Sequence, residues 1–321
     1  MRHSSGYRTL LSLAVDSYEP HELHSPARVY QETNCYTDVV IELLHASGVE
    51  PLAMLGFLVR SDFEGDQWTF FKPPPADLET LYGIDVHEMQ PYRPLPTQIA
   101  EQLERGAALI IELDSFNLPD TAGVAYREAH VKSSAIPEAI DPEGEYLRYF
   151  HNAGLYELDG DDYRRLFHLD APPDPARLPP YVDLVRFEAG PRLQGDELRA
   201  AARELLRGHL RRRPESNPFV RFGAQLQHEL PALLESDLQN YHDYAFATVR
   251  MVGAAFELLQ AHARWLLGEA IAPLDEIVEG CKTLGFRLAR RRAFDVTALI
   301  APLGEAWESG LATLDELAEG E

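Results

Sequence analysis

Residues 30–48 read YQETNCYTDVVIELLHASG, and this stretch decides the fold of the first half of the chain. Apolar residues recur at helical spacing from Val39 to Leu44, and Gly48 ends the pattern, which predicts a helix that begins near Asp38. Cys35 then lies at the N-terminus of that helix. The positive end of the helix dipole and the free N–H groups there favour the thiolate, which is the reactive form of cysteine.

The same stretch supplies groups that could hold an oxyanion. Asn34 is a favourable N-cap residue directly before Cys35, and Gln31 lies one turn upstream with an amide donor. The backbone N–H groups of the first turn are further donors for a negatively charged oxygen. The sequence therefore predicts the nucleophile, the groups that activate it and the oxyanion donors within one short segment.

A thiolate nucleophile needs a proton acceptor that a third group orients. His130 opens the predicted strand HVKSSAI, Asn152 closes the strand YLRYFHN, and the turn-forming stretch between them predicts a hairpin. If that hairpin is centred on Asp141, His130 and Asn152 face each other, while alternation places His151 on the opposite face. The order Cys35, His130, Asn152 is that of papain-like enzymes. The alternative interpretation of His130 is an ordinary surface or hydrogen-bonded histidine.

The chain of 321 residues is long enough for two domains, and the proline-rich stretch APPDPARLPP at 171–180 is predicted to join them. Helical and strand patterns mix in residues 1–170, which predicts an α+β domain. Residues 181–321 carry mainly helical patterns, which predicts an all-α bundle. After a first helix near 195–213, these patterns cover approximately 219–234, 237–267, 273–290 and 295–317.

Charge and composition exclude several classes of partner. The net charge is −23, which disfavours nucleic acid and anionic lipid. No apolar run reaches the roughly 20 residues that a membrane helix needs, and the N-terminus lacks a signal-peptide cleavage site, so we expect a cytoplasmic protein. Arginine clusters at 207–213 and 287–292 are either solvated helix ends or a docking surface for an acidic partner.

Other candidate sites have simpler interpretations. His21 and His24 in the sequence HELH are expected to be surface histidines of a loop, since no third metal ligand is evident. The stretch DFEGDQW lacks the spacing of a calcium loop, and we expect it to line the cleft with Trp68. Cys281 is expected in the core. No glycine-rich phosphate loop, HExxH or GxSxG motif occurs, so we predict neither a cofactor nor a metal.

Four strings resemble a bacterial family of unknown function, catalogued as number 1839, over most of the chain. They are QETNCYTDVVIELLHASGVEPLAML from residue 31, SDFEGDQWTFFKPPPADLETLYGIDV from 61, LIIELDSFNLPDTAGVAYREAHVKSS from 109 and YFHNAGLYELDGDDY from 149. This resemblance implies membership of a family without an assigned activity.

A more distant similarity links the first half to the N-terminal domain of the butirosin-biosynthesis protein H family and to the peptidase domains of bacteriocin exporters. In those families a cysteine begins a helix, a strand leads into a D-x-F-x-L-P-like segment, and a histidine opens a hairpin that ends in Asp or Asn. The matching elements here are Cys35, the segment from Asp114 to Pro119, His130 and Asn152. The similarity implies a papain-like fold, with Asp114 among the substrate-side residues.

Three functions remain open. The butirosin-type resemblance implies an acyltransferase in which Cys35 takes an acyl or aminoacyl group from a carrier-protein thioester and passes it to an acceptor. A cysteine peptidase or amidase would use the same residues without a carrier. A non-catalytic binding or scaffold protein on the same fold is the third alternative.

Overall fold

The computed structural model describes residues 6–32, 34–171 and 178–320 of the chain. These residues form a mixed structure of ten α-helices and one seven-stranded sheet, which confirms the α+β prediction. They divide into two compact units. The first contains Met1–His24, Cys35–Glu50 and Leu78–Arg192, and the second contains Ser25–Asn34, Pro51–Asp77 and Leu193–Glu321.

The first unit is built on the antiparallel sheet, whose strands follow the order β2-β7-β3-β4-β5-β6, with β1 paired to β4. The strands are β1 (Arg8–Thr9), β2 (Asp85–Glu88), β3 (Ala108–Asp114), β4 (Lys132–Asp141), β5 (Tyr146–His151), β6 (Gly154–Asp159) and β7 (Val182–Arg186). The helices of this unit are α1 (Cys35–Ala46), α3 (Leu95–Glu104) and α4 (Gly160–Leu166), while α2 (Pro75–Tyr82) crosses the division in sequence.

The two faces of the central strand β4 carry different layers. Ser133 shares one face with an apolar core in which Leu103 of α3 and Tyr163 of α4 pack against Ile111 and Leu147. Ser134 points to the opposite face, because side chains alternate along a strand. That opposite face is the one that α1 reaches, since Cys35 contacts Ser134 there.

A bulge in β4 shifts the hairpin register. Ala135 lies opposite His151 and Pro137 opposite Tyr149, but after the bulge Ala139 lies opposite Arg148. The hairpin is therefore centred near Glu143, beyond the predicted position.

The buried carboxylate at the bulge anchors the N-terminal arm. Glu138 accepts hydrogen bonds from Arg148 Nε (2.5 Å), Thr9 Oγ1 (2.8 Å) and the backbone N–H of Leu11 (3.0 Å). Because its charge is fully enclosed, Glu138 depends on Arg148 for compensation.

The domain boundaries differ from the predicted ones. Strand β7 lies in the predicted helical domain 181–321, yet it pairs with β2 and β3 of the first unit. Two early segments, Ser25–Asn34 and Pro51–Asp77, belong to the second unit. Most of the predicted linker 171–180, namely residues 172–177, lies outside the described residues.

The second unit consists mainly of helices. A 3-10 helix spans Pro51–Arg60, and a π-helical turn (Phe246–Arg250) connects two of the α-helices. The remaining bounds are α5 (Gly195–Leu210), α6 (Pro218–Glu235), α7 (Leu238–Ala245), α8 (Met251–Leu267), α9 (Ala272–Ala289) and α10 (Val296–Glu319). Cys281 of α9 is buried, as expected. Among the described helices, none combines the length and apolar character required to cross a membrane.

Candidate functional site

Cys35 is the first residue of α1, three residues earlier than the predicted helix start. Its side chain is partly exposed, and its Sγ lies 3.6 Å from Ser134 Oγ on β4. The thiol therefore sits where the free N–H groups and positive dipole end of a twelve-residue helix meet the sheet.

Charged side chains continue from Ser134 along the same face of the sheet. Glu112 of β3 lies directly opposite Ser134, so their side chains are neighbours. Lys132, two residues before Ser134, donates to Glu112 Oε1 at 2.9 Å. We call Glu112, Asp114, His130, Lys132 and Ser134 the polar strip.

His130 and Asp114 form a pair at the outer end of this polar strip. His130 Nδ1 lies 2.6 Å from Asp114 Oδ2, and the imidazole stacks on Phe116 with ring centroids 4.4 Å apart. The other carboxylate oxygen of Asp114 accepts from the backbone N–H of Phe116 at 3.1 Å. A carboxylate held in this way fixes one imidazole nitrogen and leaves Nε2 to exchange protons.

The structure does not bring His130 into contact with Cys35. His130 is four residues from Ser134, a span of about 13 Å along extended chain. Its side chain is 75% exposed, whereas the hydrogen-bond partner of the Cys35 thiol among the described residues is Ser134.

An open groove of about 360 Å³ runs beside the polar strip. Its walls include His130, Lys132 and Tyr181. Tyr181 and Tyr36, the second residue of α1, both donate to the carboxylate of Asp183, at 2.8 and 2.9 Å. Burial, together with the charge of Asp183, raises the pKa of Tyr36, which keeps this phenol protonated as a donor. The start of α1 is thereby tied to the strand that borders the groove.

Asn152 does not face His130. It lies in the two-residue turn between β5 and β6, which the paired residues His151 and Gly154 close. Its backbone has a positive φ of 46°. The predicted pairing assumed a hairpin centred on Asp141, but the observed register places Ala135 opposite His151. The carboxylate that contacts His130 is Asp114, which the resemblance assigned to the substrate side.

The three remaining predicted residues belong to the second unit. Gln31 is exposed. Asn34 is buried, and its amide donates to the backbone carbonyl of Phe71 at 2.7 Å. Trp68 is only 3% exposed and packs against Phe219 and Phe222, so it belongs to the core instead of lining a cleft.

Sequence reasoning missed a buried Ser–His–Asp network on the opposite face of β4. Ser133 Oγ lies 2.6 Å from His151 Nε2, and His151 Nδ1 lies 2.5 Å from Asp120 Oδ2. Tyr149 donates to the other oxygen of Asp120 at 2.5 Å. These contacts resemble a catalytic triad, but His151 is fully buried, so a substrate has no access to it. The network therefore joins the Asp120 turn to the sheet.

The expectation that His21 and His24 are surface residues is wrong. Both are buried, and His24 contacts Glu42 through Nδ1 and Asp38 through Nε2 (3.4 Å). Burial lowers the pKa of His24, but the hydrogen bonds and charges of the two carboxylates outweigh it and raise the pKa to about 9. The carboxylates lie on α1 at helical spacing, which is a signal that the sequence contained. Within the described ranges, no group of His, Cys, Asp and Glu side chains is suited to a metal ion.

Comparison with known proteins assigns the chain to a family. Residues 19–187 match the DUF1839 N-terminal domain, and residues 195–316 match the DUF1839 C-terminal domain. A search of curated proteins finds no match. The two matches cover most of the chain and confirm the first resemblance drawn from the sequence. The protein therefore belongs to the DUF1839 family, a family of unknown function.

Proposed function

We propose that this protein is a cysteine-dependent acyltransferase that uses Cys35 as its nucleophile on a papain-like fold. The observation that carries the proposal is the position of Cys35, partly exposed at the first residue of α1 and in contact with the polar strip. A thiol in that position has both a stabilising dipole and backbone N–H donors for an oxyanion.

The reaction proceeds in two steps, acylation of Cys35 and transfer of the acyl group to an amine. His130 takes the proton of the Cys35 thiol, and the thiolate attacks the carbonyl carbon of a thioester. The carbon–sulfur bond to the donor breaks, and the leaving thiolate receives the proton from His130. In the second step an amine attacks the acyl-enzyme, His130 accepts the amine proton, and the bond to Cys35 breaks to release an amide. His130 then returns this proton to the Cys35 thiolate, which restores the starting enzyme.

Asp114 is the group that orients His130 in this proposal. Its 2.6 Å contact to Nδ1 leaves Nε2 as the proton-accepting nitrogen. Asn152, assigned to this role from the sequence, lies in the β5–β6 turn instead. An Asp in this role also compensates the positive charge that the imidazole gains when it takes the thiol proton.

The proposal requires the separation between Cys35 and His130 to close when the acyl donor binds. His130 lies outside strand β4, and catalytic contacts often form only in the substrate complex. An acyl group delivered into the groove beside His130 would exclude water between the two side chains and favour their contact.

We propose that the acyl donor is a thioester on an acidic acyl carrier protein. The arginines at 207–213 and 287–292 offer positive charge to such a partner within a chain of net charge −23. The butirosin-type resemblance that we drew from the sequence alone would imply the same class of donor.

The proposal is tested by trapping the acyl-enzyme. Full-length protein is incubated with an acetyl or aminoacyl thioester of N-acetylcysteamine, and its intact mass is measured. We expect one acyl adduct in the wild type and in Cys281→Ala, but none in Cys35→Ala. An adduct that persists in Cys35→Ala, or no adduct in any of the three proteins, would overturn the proposal.

A peptidase or amidase would share the nucleophile. Hydrolysis of peptide substrates that is lost in Cys35→Ala, without transfer to an added amine, would replace the acyltransferase by that alternative. Binding of a protein partner that Cys35→Ala does not affect, without acylation, would instead favour a scaffold protein.

A further inference from the structure

The second unit contains a cavity of about 440 Å³, a size typical of small-molecule sites. Its wall combines apolar and charged side chains from the 3-10 helix, the loop that follows it and the segment directly after α5. The lining residues that matter here are Phe57, Arg60, Ser61, Phe70, Lys72 and Arg212. Neither the sequence motifs nor the proposed chemistry at Cys35 accounts for this cavity.

Positive charge exceeds negative charge in the cavity wall. Arg60, Lys72 and Arg212 face two carboxylates, Asp62 and Glu64. Asp62 already forms an ion pair with Arg221, which lies outside the lining. The cavity is thus a local positive site in a strongly acidic chain.

Arg212 is held in place without being neutralised. Its Nε donates to the carbonyl of Gly208 at 2.9 Å, and its Nη2 lies 3.4 Å from His209 Nδ1. Across the part of the chain that the structure describes, neither Arg212 nor Arg60 forms an ion pair with a carboxylate. A guanidinium carries five N–H donors, so Arg212 retains donors for an anion.

The buried hydroxyl of Ser61 points to a ligand. Ser61 is 6% exposed and lines the cavity, and its Oγ has no hydrogen-bond partner among the described residues. Buried side-chain oxygens are nearly always paired in folded proteins. A hydroxyl that lines the same cavity as two guanidinium groups without a carboxylate partner matches the donors that a phosphate oxygen requires.

We infer that this cavity binds a phosphodiester joined to an extended chain that has apolar segments. Arg60, Arg212 and Ser61 would hold the phosphate, and Phe57 and Phe70 would contact the chain attached to it. The two carboxylates in the wall favour a singly charged diester over a polyphosphate, because each further negative charge would meet them.

The phosphopantetheine arm of an acyl carrier protein has this chemistry. Its phosphate is a singly charged diester, and its pantetheine carries the acyl thioester. This identification rests on the proposed function, whereas the phosphate site itself does not. Phe71, in the cavity wall, accepts from Asn34, the residue that precedes Cys35 in sequence.

Binding of a blocked phosphopantetheinyl-serine to the full-length protein tests the site by calorimetry. Pantetheine without phosphate, inorganic phosphate and coenzyme A are measured beside it. We expect the phosphodiester to bind at least about tenfold more tightly than pantetheine, because one charge-assisted hydrogen bond to the phosphate contributes enough free energy for that difference. Arg212→Gln and Ser61→Ala should each remove most of that advantage.

Arg211→Gln is the matched control, because Arg211 is exposed and lies outside the cavity wall. It should change the affinity by no more than about twofold. Equal affinity for the phosphodiester and for pantetheine, or equal losses in Arg211→Gln and Arg212→Gln, would overturn the inference. Tighter binding of coenzyme A than of the phosphodiester would overturn the carrier assignment and make the free coenzyme the ligand.

The two proposals can fail separately. If the cavity binds phosphate but Cys35 takes no acyl group from N-acetylcysteamine thioesters, the site stands and the proposed function falls. If Cys35 is acylated by these phosphate-free thioesters while the phosphodiester does not bind, the proposed function stands and the phosphate site falls.

Discussion

The thiol of Cys35 lies 3.6 Å from the hydroxyl of Ser134, which fixes the start of α1 to the central strand β4. The neighbouring Ser133 points to the other face and contacts His151 at 2.6 Å. Two adjacent serines thus mark two environments. One borders a partly exposed thiol and the polar strip, and the other belongs to a closed network of buried side chains.

We expect substitution of Ser133 and of Ser134 to lower the stability of the protein by different amounts. Ser133→Ala leaves the buried His151 and Asp120 pair short of one partner, so it should lower the free energy of unfolding by about 1–3 kcal/mol. Ser134→Ala removes only a weak thiol–hydroxyl contact and should cost less than about 1 kcal/mol. Urea denaturation measures both. An equal loss in the two variants would argue against the distinct roles of the two faces.

The two cysteines should differ in reactivity towards iodoacetamide. Cys35 is partly exposed, whereas Cys281 is buried, and burial raises the pKa of the Cys281 thiol to about 12. Native protein should therefore take one label, at Cys35, and take the second only after denaturation. Peptide mapping identifies the site. Labelling of native Cys35→Ala at a comparable rate would contradict the assignment of Cys281 to the core.

His24 should make stability depend on pH. Its folded pKa of about 9 exceeds the unfolded value near 6.5, so its contribution is complete below about pH 6.5 and is lost as the pH rises towards 9. The difference corresponds to a loss on the order of 3 kcal/mol. His24→Gln should flatten this dependence in denaturation series at several pH values. His87→Gln, at an exposed histidine, is the control. The same slope in His24→Gln as in the wild type would exclude His24 as its source.

Glu138→Gln should be strongly destabilising, because it leaves the largely buried Arg148 without its charge partner. We expect a loss of about 3–5 kcal/mol and faster proteolysis of the N-terminal arm that Glu138 holds through Thr9. Glu101→Gln, at an exposed pair with Arg93, should have a much smaller effect on stability, because solvent screens that pair. Replacing both members of the buried pair by Leu and Met should recover part of the loss. A loss of less than about 1 kcal/mol in Glu138→Gln would show that stability does not depend on the charge of Glu138.

Local patterns in the sequence predicted local structure well. Periodicity at 273–290 indicated a helix that the structure gives as Ala272–Ala289. The pattern from Val39 to Leu44 predicted a helix from about Asp38, which the structure begins three residues earlier, at Cys35. These features depend on residues close together in the chain. Helical spacing and turn residues are sufficient to locate them.

Features that depend on distant partners were not predictable in the same way. The β4–β5 register depends on a bulge around Glu138, whose partners are residues 9, 11 and 148. Trp68 is buried by side chains about 150 positions later in the sequence. Likewise, His24 is buried because its two carboxylate partners lie on α1. The helical spacing of Asp38 and Glu42 was visible in the sequence, but no local pattern links those two carboxylates to His24.

The single-turnover rate of Cys35 acylation by excess thioester, followed from about pH 5 to about pH 9, tests whether His130 serves Cys35. His130→Gln should slow acylation by about a hundredfold or more and remove a pH-dependent step that the wild type shows. His87→Gln replaces another exposed histidine paired with a carboxylate and should react like the wild type. If His130→Gln is acylated as fast as His87→Gln, with the same pH profile, the pairing of Cys35 with His130 is contradicted.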